Sequence, residues 1–220
     1  AGCEGVFLGI ESGSDVMLKH MNKTARTKDF AQAIPQLRAA GISTYASLIV
    51  GFPGETEATL RQTQQLIEES QPDFFRAQLW YCDHLTPIWK DRDKYGLEGD
   101  GFSWKHNTMT SEIASEWVER LFFDTKNSTW LPQHGFEQWS TFYLQRRGYT
   151  KAQVIDYIAL FNAAIKSQFD DPSSNKIPDG LYHHMQALVL NKSVDDTFMQ
   201  TIHHKSDVSH EQDALESFAF

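Results

Sequence analysis

The first 81 residues predict an α/β fold with a parallel sheet, and three observations carry it. Short strand-like runs recur at 6–10, 42–50 and 74–81. The first two end in turn clusters, Glu11-Ser-Gly-Ser14 and Gly51-Phe-Pro-Gly54. The stretches between the runs have helical spacing. Continuous apolar runs of strand length, bounded by turns, suit strands buried on both faces. Strand, helix, strand, helix, strand in that order makes right-handed βαβ crossovers.

Each element follows from its residues. Val6 to Ile10 is the first strand. Lys28 to Ala40 reads as a helix, with Phe30, Ala33, Ile34 and Leu37 on one face and Gly41 at the position of a C-terminal cap. Pro35 sits inside that pattern and predicts a kink or a late start. Ile42 to Val50 is the second strand. Thr56 opens a helix that runs to about Ser70, where Pro72-Asp73 breaks it, and Phe74 to Tyr81 is the third strand.

The character changes after Tyr81. Residues 83–109 are rich in aromatics and glycine without a clean period and read as a long irregular segment. Helices are expected at about Ser111 to Thr125, Phe136 to Arg147 and Thr150 to Phe169. The last opens with Thr150-Lys-Ala-Gln153, a capping-box spacing. Asp170 to Asn175 is a linker, and the polar end from Ser206 to Phe220 is expected to fray. The division expected is 1–90, an irregular 91–110, a helical 111–192 and a tail 193–220.

With 20 Lys and Arg against 29 Asp and Glu, the formal charge is −9, and no basic run exists to track a phosphate backbone. Nucleic acid is therefore not expected as the dominant electrostatic partner; a small-molecule substrate is. Cys3 and Cys82 are the only cysteines, which points to a reducing, cytoplasmic setting rather than a disulfide framework. No apolar run approaches the roughly 20 residues of a membrane span. The chain opens on Ala-Gly-Cys-Glu-Gly against a strand-like run, without Met or a leader pattern, and is expected to be a piece of something longer.

In parallel α/β folds, ligands bind at the carboxyl ends of the strands. There, Leu8-Gly-Ile-Glu-Ser-Gly-Ser14 and Ile49-Val-Gly-Phe-Pro-Gly-Glu-Thr56 stand in order, separated by one helix. This ordered pair resembles the fourth- and fifth-strand segments of the radical S-adenosylmethionine enzymes, whose fold is a partial (β/α)₆ barrel. Lys19-His-Met-Asn-Lys23 resembles the turn that follows the fourth strand. The segments 81–87, 95–104 and 106–109 resemble a cobalamin-dependent branch of that family, nearest the phosphinate P-methyltransferase type.

The resemblance implies strands four to six of the barrel, reductive cleavage of S-adenosylmethionine at a [4Fe-4S] cluster, and radical modification or methyl transfer, with cobalamin as a further cofactor. It implies cofactor contacts at Glu11, Ser12, Ile49, Val50, Gly51, Pro53, Gly54, Tyr81 and Cys82, and substrate contacts at His84, Trp104 and His106. The family's C-x₃-C-x₂-C loop, its Gly-Gly-Glu segment and a cobalamin-binding domain have no counterpart in these residues. The cluster ligands are thus expected in a preceding half of the same protein, and this piece alone is expected to be inactive.

Plainer roles compete at each position. Glu11 also suits a solvated loop or a helix cap, and Ser12 and Ser14 suit turn and N-cap duty. The glycines at 51 and 54 suit a tight strand-to-helix turn, and Glu55 the first turn of its helix. Cys82 suits a small buried hydrophobe. His183-His184 and His203-His204 point to different faces as neighbours and do not make a metal site. Trp117, Phe122, Phe123, Trp130, Trp139, Phe142 and Tyr143 read as core. An α/β nucleotide-binding enzyme of other chemistry and a non-catalytic interaction domain remain alternatives. The 6–10 strand, lacking a neighbour on one side, is expected to pair with another chain or to be covered by the tail.

Overall fold

The computed structural model describes residues 2–132, 138–174 and 176–190. The three expected strands are present as β1 (Gly5–Glu11), β2 (Ser43–Val50) and β3 (Phe74–Leu79). They pair in parallel in the order β1-β2-β3, and a fourth short strand, β7 (Thr129–Trp130), joins β3 in parallel through Phe74 and Phe75. The sequence reading missed β7, because two residues are too few to show a period.

One face of the sheet carries Leu8, Ile10, Ala46, Leu48, Val50, Phe75 and Ala77 into the main core. It packs against α2 (Thr27–Ala39), α3 (Glu57–Ser70) and α5 (Ser111–Asp124), through Phe30 and Ile34, Leu60 and Ile67, and Ala114, Trp117 and Leu121 respectively. Pro35 does not break α2. Its ring and Ala31, four residues earlier, are both exposed, so water can satisfy the carbonyl that proline leaves without a donor. Thr56 and Thr150 accept the backbone N–H three residues on, as N-caps of α3 and of α7 (Lys151–Asp170).

The second face is built from registered rows: Phe7, Tyr45 and Phe74; then Gly9, Ser47 and Arg76; then Ile49 and Gln78. Its lower part is covered. Tyr45 stacks on Phe74 and bonds Thr141 of α6 (Gln138–Arg146), and Leu131, Val154 and Ile158 complete a second apolar cluster. Asp73, at the foot of β3, fastens this arrangement. Its buried carboxylate accepts from the Thr44 N–H and hydroxyl at 2.9 and 3.1 Å, and pairs with Lys151 at 3.1 Å and Arg38 at 3.4 Å. One side chain thereby joins the sheet to a helix on each face.

Residues 83–109 are not irregular. A 3₁₀ turn at Pro87–Asp91 leads into α4 (Arg92–Tyr95) and an antiparallel sheet of β4 (Glu98–Asp100), β5 (Ser103–His106) and β6 (Met109–Thr110). The alternation Ser103-Trp-Lys-His106, exposed and buried in turn, is a strand signal four residues long, too short to stand out among the surrounding aromatics. Trp104 and Trp117 share the core of β1–β3. α8 (Asp179–Leu190) packs along α7 and carries His183 and His184 exposed. The frayed end expected at 206–220 and the pair His203-His204 lie outside the described residues. Among the described residues, no helix is long and apolar enough to cross a membrane.

Candidate functional site

The carboxyl ends of β1 and β2 are neighbours, so the two motifs share one rim. At β1 the register slips between Gly9 and Glu11, and Glu11 sits at φ 66°, the left-handed region that costs a non-glycine residue free energy. The slip folds the Glu11 carboxylate back over Gly9, where a Cβ would lie 2.6 Å from its Oε1. There it pairs with Lys23 at 3.2 Å. Lys23 is carried by the turn after α1 (Asp15–His20), its N–H donating to Leu18 O at 2.9 Å.

Ser12 goes the other way. It is fully buried, 3.3 Å from the Thr63 hydroxyl of α3, and accepts from the Ser14 N–H. Its side chain ties the turn to α3 and does not reach the second face. Ser14 occupies the N-cap of α1 without a side-chain cap bond.

At β2 the alternation separates the two candidates. Val50 is fully buried in the main core, while Ile49 is half-buried on the second face beside Gln78. Gly51 follows at φ 90°, and a Cβ there would overlap the Trp104 ring. Its N–H donates to Glu55 Oε2 at 2.6 Å, and its carbonyl accepts from His106 Nε2 at 3.2 Å. Pro53 is buried, and Gly54, at φ 93°, lies against His20 and Tyr95.

Glu55 is more than a dipole partner. It is fully buried, and burial pushes its carboxyl up to about 8 against the amides of Gly51 and Phe52, which favour the ionised form. Its Oε1 has no partner among the described residues.

The substrate candidates from 84–106 each make contacts within the chain. Trp104 is buried and donates to Trp80 O at 2.9 Å, and His106 stacks on it with ring centroids 5.3 Å apart. Burial lowers the His106 pKa. Its Nδ1 accepts from the Thr108 hydroxyl at 3.1 Å, so the neutral ring carries its proton on Nε2. His84 is exposed, stacked on Trp89 at 3.8 Å and bonded to Gly99 O at 3.2 Å.

Beyond β3, Tyr81 is exposed and meets Phe102 edge to face at 5.0 Å, whereas Cys82 is buried and bridges Gly101. Burial, with Asp100 and Asp83 nearby, pushes the Cys82 thiol up and keeps it protonated.

Sequence reasoning missed the side chains that share the open part of the second face with Glu11 and Ile49. These are Phe7, which is 42% exposed, Ser47, Arg76 and Gln78. The signal was present: in Phe74-Phe-Arg-Ala-Gln-Leu79, polar residues alternate with apolar ones inside a strand that is otherwise core.

This face suits an adenosyl group. Ile49 offers a flat apolar contact, Gln78 and Ser47 polar edges, and Glu11 with Lys23 a charged pair for hydroxyl and amino-acid groups. An iron–sulfur cluster does not fit. Among the described residues no three His, Cys, Asp or Glu side chains converge as a ligand set, and two cysteines cannot make a three-thiolate motif.

The family profile of the Radical SAM superfamily matches residues 1–67. The tRNA-2-methylthio-N(6)-dimethylallyladenosine synthase of Desulfosudis oleivorans is 38% identical over 87 residues, 39% of this chain and 19% of that protein. The threonylcarbamoyladenosine tRNA methylthiotransferase MtaB of Thermotoga maritima is 36% identical over 69 residues, 30% of this chain and 16% of that one. A tRNA-2-methylthio-N(6)-dimethylallyladenosine synthase from Alkaliphilus oremlandii is 28% identical over 126 residues, 54% of this chain and 27% of its own length. The chain thus spans a quarter or less of most of the curated relatives it matches. The radical SAM stretch covers β1 to β2 and most of α3, so it includes Glu11, Ile49, Gly51 and Gly54 and stops before Arg76.

Proposed function

We propose that the second face of the sheet is one half of an S-adenosylmethionine site in a radical enzyme. The supporting observation is the shared rim: β1 and β2 pair in parallel, and the register slip turns the Glu11 carboxylate back against Gly9, in the row of Ser47 on the face that carries Ile49. The base packs on Ile49 and Gln78, and Glu11 and Lys23 take the hydroxyl and amino-acid groups. Gly51 keeps the chain close to the rim, with its own N–H and C=O already bonded.

The chemistry associated with this cofactor is reductive cleavage at a [4Fe-4S] cluster, and we assign the cluster to a preceding half of the same protein. The outer edge of β1, which no strand among the described residues covers, is where that half, or a second chain, pairs. The work of this chain is to bind, orient and exclude water.

Methylthio transfer has better support than cobalamin-dependent P-methyl transfer. The matched relatives are named methylthiotransferases or methylthio-adenosine synthases, and the residues of 95–109 that suggested cobalamin have packing roles. Those relatives are named for tRNA. The −9 charge of this chain offers no phosphate-tracking surface, so we assign it the cofactor face rather than a tRNA-binding surface. Two free thiols and cluster chemistry suit a reducing, cytoplasmic compartment.

Calorimetric titration with S-adenosylmethionine tests the reading. Glu11→Gln is expected to weaken binding about tenfold, roughly 1.4 kcal/mol, and Ser12→Ala to leave it unchanged. Equal affinity for ATP, or indifference to Glu11→Gln, overturns the assignment.

A further inference from the structure

Arg76 projects from the middle of β3 onto the second face, between Ser47 in register on β2 and Gln78 two residues further along its own strand. Its Nε is buried and has no hydrogen-bond partner among the described residues. No carboxylate among the described residues pairs with its guanidinium, and Glu11 of the same face is engaged by Lys23 at 3.2 Å. The guanidinium lies over the Phe7 ring at 5.5 Å. An aromatic ring is no substitute for an anionic acceptor at the buried Nε–H.

A lysine in this position could shed its proton. Arginine cannot, so the charge persists and its donors require an acceptor. Leaving a buried charged donor unmet costs more than a typical hydrogen bond contributes. Ser47 beside it is nearly buried, and its hydroxyl makes no hydrogen bond among the described residues. The open face therefore presents two cations, Lys23 and Arg76, to one carboxylate, Glu11, in a chain whose net charge is −9.

We infer that Arg76, with Ser47, anchors an oxyanion: a carboxylate or phosphate of a bound ligand lies against the donor edge of the guanidinium, one row below Ile49 and Gln78. The assignment deepens the proposed cofactor face and rests on it for the identity of the neighbouring ligand. The anion comes either from a substrate or from the amino-acid carboxylate of the cofactor. The planar fork of arginine matches both.

Proton–nitrogen NMR of the whole chain reads the buried Arg76 Nε–H directly. Titration with inorganic phosphate and with succinate, at constant ionic strength against chloride, is expected to give a saturable shift of that resonance and of the Ser47 and Gln78 amides. Arg76→Lys is expected to weaken the response of those amides at least tenfold, and Arg76→Met to abolish it while the melting temperature holds or rises. A shift of Arg76 Nε–H produced by S-adenosylmethionine but not by its decarboxylated analogue assigns the anion to the cofactor. A shift produced by phosphate or succinate alone assigns it to the substrate. No saturable response, or one unchanged in Arg76→Lys, overturns the inference. That result with S-adenosylmethionine still bound leaves the cofactor face standing, whereas an oxyanion response without S-adenosylmethionine binding removes the cofactor face and keeps Arg76.

Discussion

Glu55 and His106 hold the two ends of one residue: Glu55 Oε2 accepts from the Gly51 N–H at 2.6 Å, and His106 Nε2 donates to the Gly51 carbonyl at 3.2 Å. The rim of β2 is thus fixed by two buried ionisable groups, both held neutral by burial near pH 7.

Their titrations act on stability with opposite sign. The Glu55 carboxyl is raised from 4.5 to about 8, so its contribution is fully present below the unfolded value and is lost as pH rises towards 8. The His106 pKa is lowered from 6.5. The unfolded chain therefore binds the proton more readily, and stability falls as pH drops below 6.5. Denaturation across pH 4 to 9 is expected to show Glu55→Gln, which keeps the Gly51 bond, gaining on the wild type with rising pH. A wild-type difference independent of pH would contradict this.

Gly13 packs backbone to backbone on α3, where a Cβ would overlap Thr63 and Gln62 main-chain atoms. Gly41, at φ 76°, has nothing within 4 Å of its Cβ position. Gly13→Ala is expected to cost more than Gly41→Ala, about 2 kcal/mol or more against about 1. Urea denaturation of the two variants checks the order.

Asp73→Ala removes the acceptor of Thr44, Lys151 and Arg38 together. Lys151 and Arg38 are solvent-accessible and can be hydrated, so the main loss is the buried Thr44 donors left unmet, about 1–3 kcal/mol. Hydrogen exchange is expected to show α7 losing protection along with the foot of β2. Exposed pairs such as Glu57 with Arg61 are worth only a few tenths of a kcal/mol.

Most of the parallel frame was legible because the first two strands close in the turn clusters at Glu11–Ser14 and Gly51–Gly54 and the third follows the break at Pro72. The capping threonines at 56 and 150 were legible for the same local reason. What the sequence hid depends on contacts between distant residues. The burial of Glu55 comes from the Gly51 turn and its amides, and Trp104 becomes core only when β5 folds over that glycine. At the rim, Ile49 and Val50 read alike, and only the register of the sheet sends one to the open face and the other inward. Arg76 was readable from alternation alone, since its place between Phe75 and Ala77 sets it on the face opposite the core.

The ladder between β3 and β7 stops at Phe75, leaving the flank from Ala77 to Leu79 facing a groove of about 710 Å³ bordered by Tyr81, Phe102, Trp130 and Phe161. A sheet stitched only at its foot works like a collar left unbuttoned at the top. Beside Gln78 the sheet is therefore open to approach from its flank as well as from the strand ends.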